Sequence, residues 1–247
     1  MPYYSYGYHG YGDFFANNLY FLLLIPVLLL SLWAQAQVSG NFHRYSGVTN
    51  RRHLTGAQAA EAVLRAHGVY GVAILRCSGH LTDHYDPRSN AIYLSDQVYG
   101  AATIAAVGVA AHEAGHAVQY AVGYAPIKVR AVIIPLTQIG SKFSFLLFFI
   151  GTLMYSSTLF LAGIILFSFT TLFQLVTLPV EFDASGRAIE TLGQQDLLDG
   201  EELQGAKRVL RAAALTYVAA LLMSMLQLFR FVLIFLGRHG DGEGGRR

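Results

Sequence analysis

The sequence predicts an α-helical membrane protein with about four transmembrane helices and a small α+β domain. The first observation is composition: hydrophobic residues make up 54% of the chain and charged residues 13%, whereas charged residues make up roughly a quarter of a soluble domain. The second observation is arrangement. The apolar residues gather in long runs, and two polar regions with helix and strand patterns separate those runs.

The N-terminal part is expected to be a tail followed by an anchor. Residues 1–18 are rich in Tyr and Gly and contain no Lys or Arg, which favours a flexible tail. Residues 19–38 form an apolar run long enough to cross the hydrocarbon core. A signal peptide is the alternative, since Ala34-Gln35-Ala36 resembles a cleavage site. A signal peptide would begin with basic residues, which are absent here, and its apolar run would be shorter. Both observations favour an uncleaved anchor.

Three further spans are expected in the second half of the chain. Residues 141–178 are nearly uncharged, too long for one span and interrupted by MYSST at residues 154–158, which predicts a transmembrane hairpin. Residues 212–236 form a fourth span. Residues 237–247 are polar and Gly-rich, and we expect a disordered tail there.

The small domain is expected to come from two separate polar regions. In residues 40–128, an amphipathic helix with Thr55 as N-cap precedes a strand, a β-hairpin and a helix over residues 101–120. Residues 179–211 form the second polar region. One span before the first region and a hairpin between the two place both regions on the same side of the membrane.

The basic residues predict which side that is. Thirteen of the seventeen Lys and Arg residues lie between Arg44 and Arg211, whereas the N-terminal tail and the tip of the hairpin have none. By the positive-inside rule, the polar regions face the cytoplasm, and both termini lie across the membrane. We therefore expect an integral protein of a bacterial-type plasma membrane. The net charge of +2 gives no reason to expect a nucleic acid partner.

The helix in the first polar region carries the sequence HEAGH, residues 112–116. His112 and His116 are four residues apart, so both imidazoles lie on one helix face and can bind one zinc ion. Glu113 lies beside that face, where a carboxylate can act as general base towards a water molecule that zinc activates. The spacing therefore predicts a hydrolytic zinc site with one Zn²⁺ per chain.

A catalytic zinc site needs a third protein ligand, which the HEAGH helix does not supply. The extension that would add a histidine is absent, because Gln119 and Val122 occupy the required positions. A glutamate on a later helix is the other common solution. Glu181 opens the second polar region on the same predicted side of the membrane, and we favour it over Asp183 and Glu190.

These motifs resemble those of a known peptidase family. HEAGH followed by EFDAS, residues 181–185, resembles membrane gluzincins of the HtpX and CAAX prenyl protease type, which pair HExxH with E-F-x-A-D. Together, LTDHYDPRSN, VAAHEAGHAVQ, LPVEFDAS and ALTYVAA resemble the YugP-like neutral zinc metallopeptidases more closely. The resemblance implies a zincin-like metallopeptidase domain that hydrolyses peptide bonds, with His112, His116 and Glu181 as zinc ligands and Glu113 as catalytic base.

The sequence departs from the broader gluzincin pattern at Ser185, where those proteins have an aspartate that orients a ligand histidine. Ser185 or Asp183 could supply a weaker contact. For stabilising the oxyanion, His84 and Arg187 are candidates of suitable chemistry. The predicted strand with Ala91, Ile92, Tyr93 and Leu94 could bind an extended peptide as an edge strand.

Two other functions stay open at this point. A site-2-type intramembrane protease would use an L-D-G element, and Leu198-Asp199-Gly200 is present, although its polar surroundings favour Asp199 as a helix N-cap with Glu202. A membrane scaffold or chaperone adaptor with a structural zinc is the non-enzymatic alternative. The expected partners are the lipid bilayer and a peptide or protein substrate, membrane proteins included.

Overall fold

The computed structural model describes residues 11–243, with the side chains of residues 20–237. The described chain is mainly helical and has one small sheet. Its elements are α1 (Tyr11–Ser46), α2 (Gly56–Ala66), β1 (Ala73–Cys77), β2 (His84–Asp86), β3 (Ala91–Ser95), α3 (Asp96–Tyr99), α4 (Ile104–Ala121), α5 (Ala125–Leu153), α6 (Ser157–Gln194) and α7 (Gly200–Glu243).

Four helices among the described residues are long and apolar enough to cross a membrane: Tyr20–Ser46, Ala125–Leu153, Ser157–Gln194 and Gly200–Gly237. With the small sheet, they confirm the predicted fold class, a helical membrane protein with a small α+β domain.

The two predicted tails are only partly described. Helix α1 begins at Tyr11, within the stretch where the sequence predicts a flexible tail, and residues 1–10 lie outside the described part. At the other end, α7 continues to Glu243, and residues 244–247 lie outside the described part.

The chain divides into two compact units, and each long helix contributes residues to both. The membrane unit comprises Met1–Leu32, Ile134–Gln174 and Ala219–Arg247. The polar unit comprises Trp33–Ile133 and Leu175–Val218. Its two polar segments, distant in sequence, therefore form one compact body, whose core includes residues from α2, β3, α4, α6 and α7.

Helix α2 is amphipathic, and its start follows from the sequence. The Thr55 hydroxyl accepts a hydrogen bond from the Gln58 amide at 3.3 Å, while the Gln58 side chain accepts one from the Thr55 amide at 2.9 Å. This capping box satisfies two backbone donors at the helix start. Ala59, Val63 and Leu64 on the apolar face are buried in the core of the polar unit.

The sheet has the strand order β1-β3-β2. Strand β2 pairs antiparallel with β3 across the Pro87–Asn90 turn, and β1 pairs parallel with β3. Strand β3 is therefore the central strand and not the edge strand that the sequence analysis expected. Both flanks of Ala91, Ile92 and Tyr93 are paired, so these residues offer no free edge to a peptide.

Helix α4 is the centre of the polar unit, and most of its residues are buried. Thr103 caps its start by accepting a hydrogen bond from the Ala106 amide at 3.3 Å. Small residues let α4 approach its neighbours closely. A Cβ atom at Gly115 would lie 2.6 Å from the Ala184 carbonyl oxygen of α6, and one at Gly108 would lie 3.3 Å from the Ala206 Cβ of α7.

The membrane unit has a different core, made of aromatic rings. Phe148 stacks on Phe231 with a centroid distance of 3.9 Å and contacts Phe160 at 5.0 Å. Phe167 meets Phe231 edge-on at 5.4 Å. Phe148, Phe160 and Phe167 are buried, so large side chains fill the space between the helices of this unit.

Candidate metal centre

His112 and His116 on α4 and Glu181 on α6 converge in the polar unit. The Nε2 atom of His112 lies 3.3 Å from Oε2 of Glu181, and the Nε2 atom of His116 lies 3.7 Å from the same oxygen. The three candidate ligand atoms all lie within 4.8 Å of one another. Glu181 is only 3% exposed, so its carboxylate is directed into the protein and towards the histidines.

This arrangement fits a zinc ion. Zinc binds imidazole nitrogen and carboxylate oxygen at about 2.0–2.1 Å, so two ligand atoms of a tetrahedral site lie about 3.3 Å apart. The measured separations from Glu181 to the two histidines are close to that value. Two histidines with one glutamate are also a known ligand set for catalytic zinc, which leaves a fourth position for water or substrate.

Ser185 orients the first histidine. Its Oγ atom lies 3.1 Å from Nδ1 of His112. When Nδ1–H donates to this hydroxyl, the proton is held on Nδ1, and the lone pair of Nε2 is available to a metal. The residue that departs from the broader gluzincin pattern therefore occupies the position where it can hold a ligand histidine.

A longer hydrogen-bonded chain orients the second histidine. The Gln119 amide nitrogen donates to the Val180 carbonyl and to Oδ2 of Asp183, each at 2.8 Å. These two acceptors turn the amide oxygen of Gln119 towards Nδ1 of His116, at 3.0 Å. Nδ1 must then be the donor, and Nε2 faces Glu181. Arg187 extends the chain by donating to Asp183 at 2.7 Å.

Arg130 orients the carboxylate ligand. Its guanidinium donates to Oε1 of Glu181 at 3.1 Å, while Oε2 faces the two histidines. Hydrogen bonds between charged groups are about twice as strong as neutral ones. Each of the three candidate ligands therefore has a partner that restrains its orientation.

Glu113 lies beside the ligands and is held by the sheet. Its Oε2 atom accepts a hydrogen bond from the Tyr85 amide of β2 at 3.0 Å. Burial raises the pKa of the Glu113 carboxyl above its ordinary value, and the neighbouring His112 and His116 offset part of that rise. A raised pKa makes the carboxylate a stronger base than an ordinary glutamate, which favours a role as general acid or base.

The electrostatics of the site favour a proton on His116. Burial lowers the pKa of His116, but the hydrogen bond to Glu181 and the negative charges of Glu113 and Glu181 outweigh burial, so the pKa lies above its ordinary value. The same negative charges would attract a cation. Metal binding at such a site displaces protons, because a histidine ligand must be neutral.

A cavity of about 160 Å³ adjoins the cluster. His112, Glu113, Glu181 and Ser185 line it, together with Tyr217 of α7. The Tyr217 hydroxyl interacts electrostatically with the carboxylates of Glu181 and Glu113. Two candidate ligands, the candidate base and a hydroxyl donor thus share one space that is large enough for part of a substrate.

Other residues singled out from the sequence lie in different surroundings. His84 stacks on Tyr93 with a centroid distance of 5.0 Å, and its Nδ1 lies 2.8 Å from the Thr82 carbonyl. The described contacts of Arg187 are with Asp183. Neither His84 nor Arg187 lines the cavity beside the ligands.

Two of the acidic residues considered as other ligands, Asp199 and Glu190, also have different partners. The Asp199 carboxylate pairs with the guanidinium of Arg51. The Asp199 amide donates to Oε2 of Glu202 at 3.4 Å, as a residue at a helix N-terminus does. Glu190 is exposed to solvent and accepts a hydrogen bond from Gln194 at 3.0 Å.

Sequence reasoning missed three residues of the site, and each had a weak signal. Gln119 lies three residues after His116, on the same helix face. Arg130 is a charged residue in a helix that continues into an apolar span, a position that suggests function. Tyr217 lies within a motif, ALTYVAA, that contributed to the family resemblance. The distances that give each residue its role could not be read from the sequence.

Comparison with known proteins agrees with this geometry. A family model described as "putative neutral zinc metallopeptidase" matches residues 20–236. The chain is 45% identical over 218 residues, 88% of its length, to a Bacillus subtilis (strain 168) protein called "putative membrane protease YugP", of which it covers 97%. No solved structure matches the chain significantly. The chain thus belongs to the zinc metallopeptidase family that this model describes.

Proposed function

We propose that the protein is a membrane-bound zinc-dependent endopeptidase with Glu113 as its general base. One observation carries the proposal: three oriented candidate ligands cluster together, and two of them, His112 and Glu181, line one cavity with the carboxylate of Glu113. The family and the relative's name support a peptidase, and the four apolar helices support a membrane location.

Each residue of the site would have its own role in the reaction. Zinc bound by His112, His116 and Glu181 would supply positive charge that polarises the substrate carbonyl and acidifies water. Glu113 accepts a proton from water while the water oxygen attacks the carbonyl carbon. Glu113 then returns that proton to the nitrogen of the leaving amine when the C–N bond breaks.

Tyr217 is our candidate for stabilising the negative charge on the former carbonyl oxygen. It lines the cavity with Glu113, and its hydroxyl is a hydrogen-bond donor. Loss of one such donor lowers kcat by about 10²–10³-fold in a well-studied protease. Tyr217→Phe should cause a loss of that order with zinc content unchanged, and an unchanged kcat would remove Tyr217 from this role.

The central test is Glu113→Gln in the purified full-length protein. Because Glu113 is not one of the three clustered ligands, the variant should keep one zinc per chain and cleave no peptide in a broad library, as read by mass spectrometry. The matched control is Glu190→Gln, the same substitution at an exposed glutamate that lies close to Glu181 in the sequence. This variant should cleave like wild type. Equal cleavage by wild type and Glu113→Gln, or no cleavage by either, would refute the proposal.

The same protein samples distinguish the alternative functions. A scaffold or adaptor with structural zinc would bind zinc in wild type and Glu113→Gln but cleave nothing in either. A site-2-type protease would need Asp199 as a ligand, so Asp199→Ala would lose zinc. We expect Asp199→Ala to keep its zinc, because the described partners of Asp199 are Arg51 and Glu202.

We also propose that the polar unit faces the cytoplasm of a bacterial-type plasma membrane. The distribution of basic residues supports this orientation. Cys77 is the single cysteine of the chain and is partly exposed in β1. A membrane-impermeant maleimide should therefore label it in inverted vesicles and not in intact cells. Labelling in intact cells would show that the polar unit lies on the opposite side of the membrane.

The expected substrates are peptides or proteins, membrane proteins included, that reach the site at the bilayer. Membranes from cells that express wild type or Glu113→Gln should differ in proteins that accumulate with the variant and in new termini that appear with wild type. Quantitative proteomics of the two membrane fractions measures both. Identical profiles at equal expression would exclude membrane proteins as substrates.

A further inference from the structure

The cavity beside the candidate ligands has a second, apolar side. Phe42 of α1, Val109 of α4, Leu210, Ala213 and Ala214 of α7, and Leu81 of the segment before β2 line it. Phe42 is 7% exposed, and Leu210 is 4% exposed. This wall, which we call the apolar wall, therefore combines buried side chains of the polar unit with Leu81, which is 46% exposed.

The carboxylates around the cavity already have hydrogen-bond donors. Oδ1 and Oδ2 of Asp83 accept from the amide and hydroxyl of Ser95 at 2.7 and 3.1 Å. Glu113 accepts from the Tyr85 amide, and Glu181 from Arg130. A basic side chain that entered the cavity would thus lose water and compete with existing donors, whereas an apolar side chain has no hydrogen bonds of its own to give up.

The size of the space is set by small residues on α7. A cavity of about 150 Å³ with aliphatic walls can hold a benzene ring, and this one measures about 160 Å³. Ala213 and Ala214 contribute only methyl groups to the apolar wall. A larger residue at 213 would occupy part of the volume.

We propose that the apolar wall is the specificity pocket of the enzyme and binds a large aliphatic or aromatic side chain next to the scissile peptide bond. This inference rests on the proposed peptidase function, because the wall shares its cavity with Glu113 and with two candidate zinc ligands, His112 and Glu181. Ala213 limits the size of the accepted side chain. The substrate class is then a polypeptide cleaved beside Leu, Phe or a similar residue.

The first test measures cleavage by the full-length zinc-loaded protein in detergent. The probes are peptides that differ in one residue beside the cleaved bond: Ala, Leu, Phe, Lys or Asp. One methylene group in an apolar pocket changes kcat/KM by about 10–200-fold. Wild type should therefore prefer Leu and Phe over Ala by at least 10-fold, and over Lys and Asp as well. Preference for Lys or Asp, or no preference, overturns the proposal.

The second test changes the size of the pocket. Ala213→Leu should lower the Phe-to-Ala ratio of kcat/KM by at least about 10-fold, because the new side chain fills the space. Ala220→Leu is the matched control, the same substitution on the same helix at a position outside the cavity lining, and should leave the ratio as in wild type. An unchanged ratio in Ala213→Leu overturns the proposal.

A binding measurement separates this proposal from the peptidase function itself. In the zinc-loaded Glu113→Gln background, calorimetry with the same peptides should give at least 10-fold tighter binding for Phe than for Ala, and Ala213→Leu should remove the difference. If the Phe peptide binds more tightly than the Ala peptide but wild type cleaves neither, the peptidase proposal fails and the pocket proposal is supported. If wild type cleaves but neither binding nor cleavage depends on the side chain, the pocket proposal fails alone.

Discussion

The two units of this protein have cores built from different side chains. In the membrane unit, rings such as Phe148 and Phe231 fill the space between helices. In the polar unit, the contact between α4 and α6 is made by Gly115 and Ala184, which are among the smallest side chains. Small residues bring two backbones close together, whereas large rings hold helices apart and adapt through their side chains.

The difference follows from what each unit has to position. A zinc ion tolerates ligand distances that vary by only about 0.2 Å, and the candidate ligands here come from two helices. Close backbone contact at Gly115, which directly precedes His116 in the sequence, restricts how α4 and α6 can shift. We therefore expect changes in the polar unit to affect zinc, and changes in the membrane unit to affect stability alone.

The largest effect on zinc should come from Glu181→Ala. Zinc binding by small protein sites amounts to at least about 10 kcal/mol, so loss of one of three protein ligands should weaken affinity by at least about 200-fold. A competition titration with a chelating dye measures this. Glu190→Ala on the same helix is the control and should bind zinc like wild type. Normal zinc affinity in Glu181→Ala would remove Glu181 from the ligand set.

Phe148→Ala should cause the largest loss of stability without a loss of zinc. Phe→Ala costs about 3–5 kcal/mol in soluble cores. The effect should be near the lower end here, about 3 kcal/mol, because lipid gives no hydrophobic driving force between helices. Thermal unfolding in detergent should show the loss, and folded protein should retain zinc at wild-type affinity. Weakened zinc affinity in the folded variant would contradict the division between the units.

Gln119→Leu should weaken zinc binding by about 10–100-fold, the usual effect of removing a partner of a metal-binding histidine. The variant leaves His116 in place but removes the acceptor for its Nδ1–H. Gln194→Leu, at an exposed glutamine bonded to Glu190, is the control with the same change of side chain. Equal zinc affinity in both variants would show that the chain behind His116 has no orienting role.

The smallest effect is expected for Gly115→Ala. The added methyl group would lie 2.6 Å from the Ala184 carbonyl oxygen, and overpacking costs about 1–3 kcal/mol. Higher helix propensity offsets up to about 1 kcal/mol. A modest fall in stability should therefore accompany weaker zinc binding, since α4 and α6 move apart. Gly186→Ala, with open space around it, should instead be slightly more stable than wild type. The same result for both variants would contradict the importance of the close contact.

The sequence predicted those features that depend on local pattern. Span lengths follow from apolar runs, the start of α2 follows from Thr55 and Gln58, and the shared face of His112 and His116 follows from the helical repeat. The position of β3 within the sheet was not predictable, because AIYLS has the same pattern in a central strand as in a buried edge strand. The order of the strands depends on which segments pair in the folded protein. Here β1 pairs in parallel with β3, on the side of β3 opposite to β2.

The sequence by itself determined the chemical identity of this protein: a helical membrane protein, a pair of histidines with a glutamate between them, and membership of a zinc metallopeptidase family. The tertiary structure alone decided which side chains restrain the candidate ligands. Gln119 and Arg130 were identified only by contacts such as the 3.1 Å bond between Arg130 and Glu181. Spacing along one helix is a local property, whereas the approach of two helices depends on every residue packed between them.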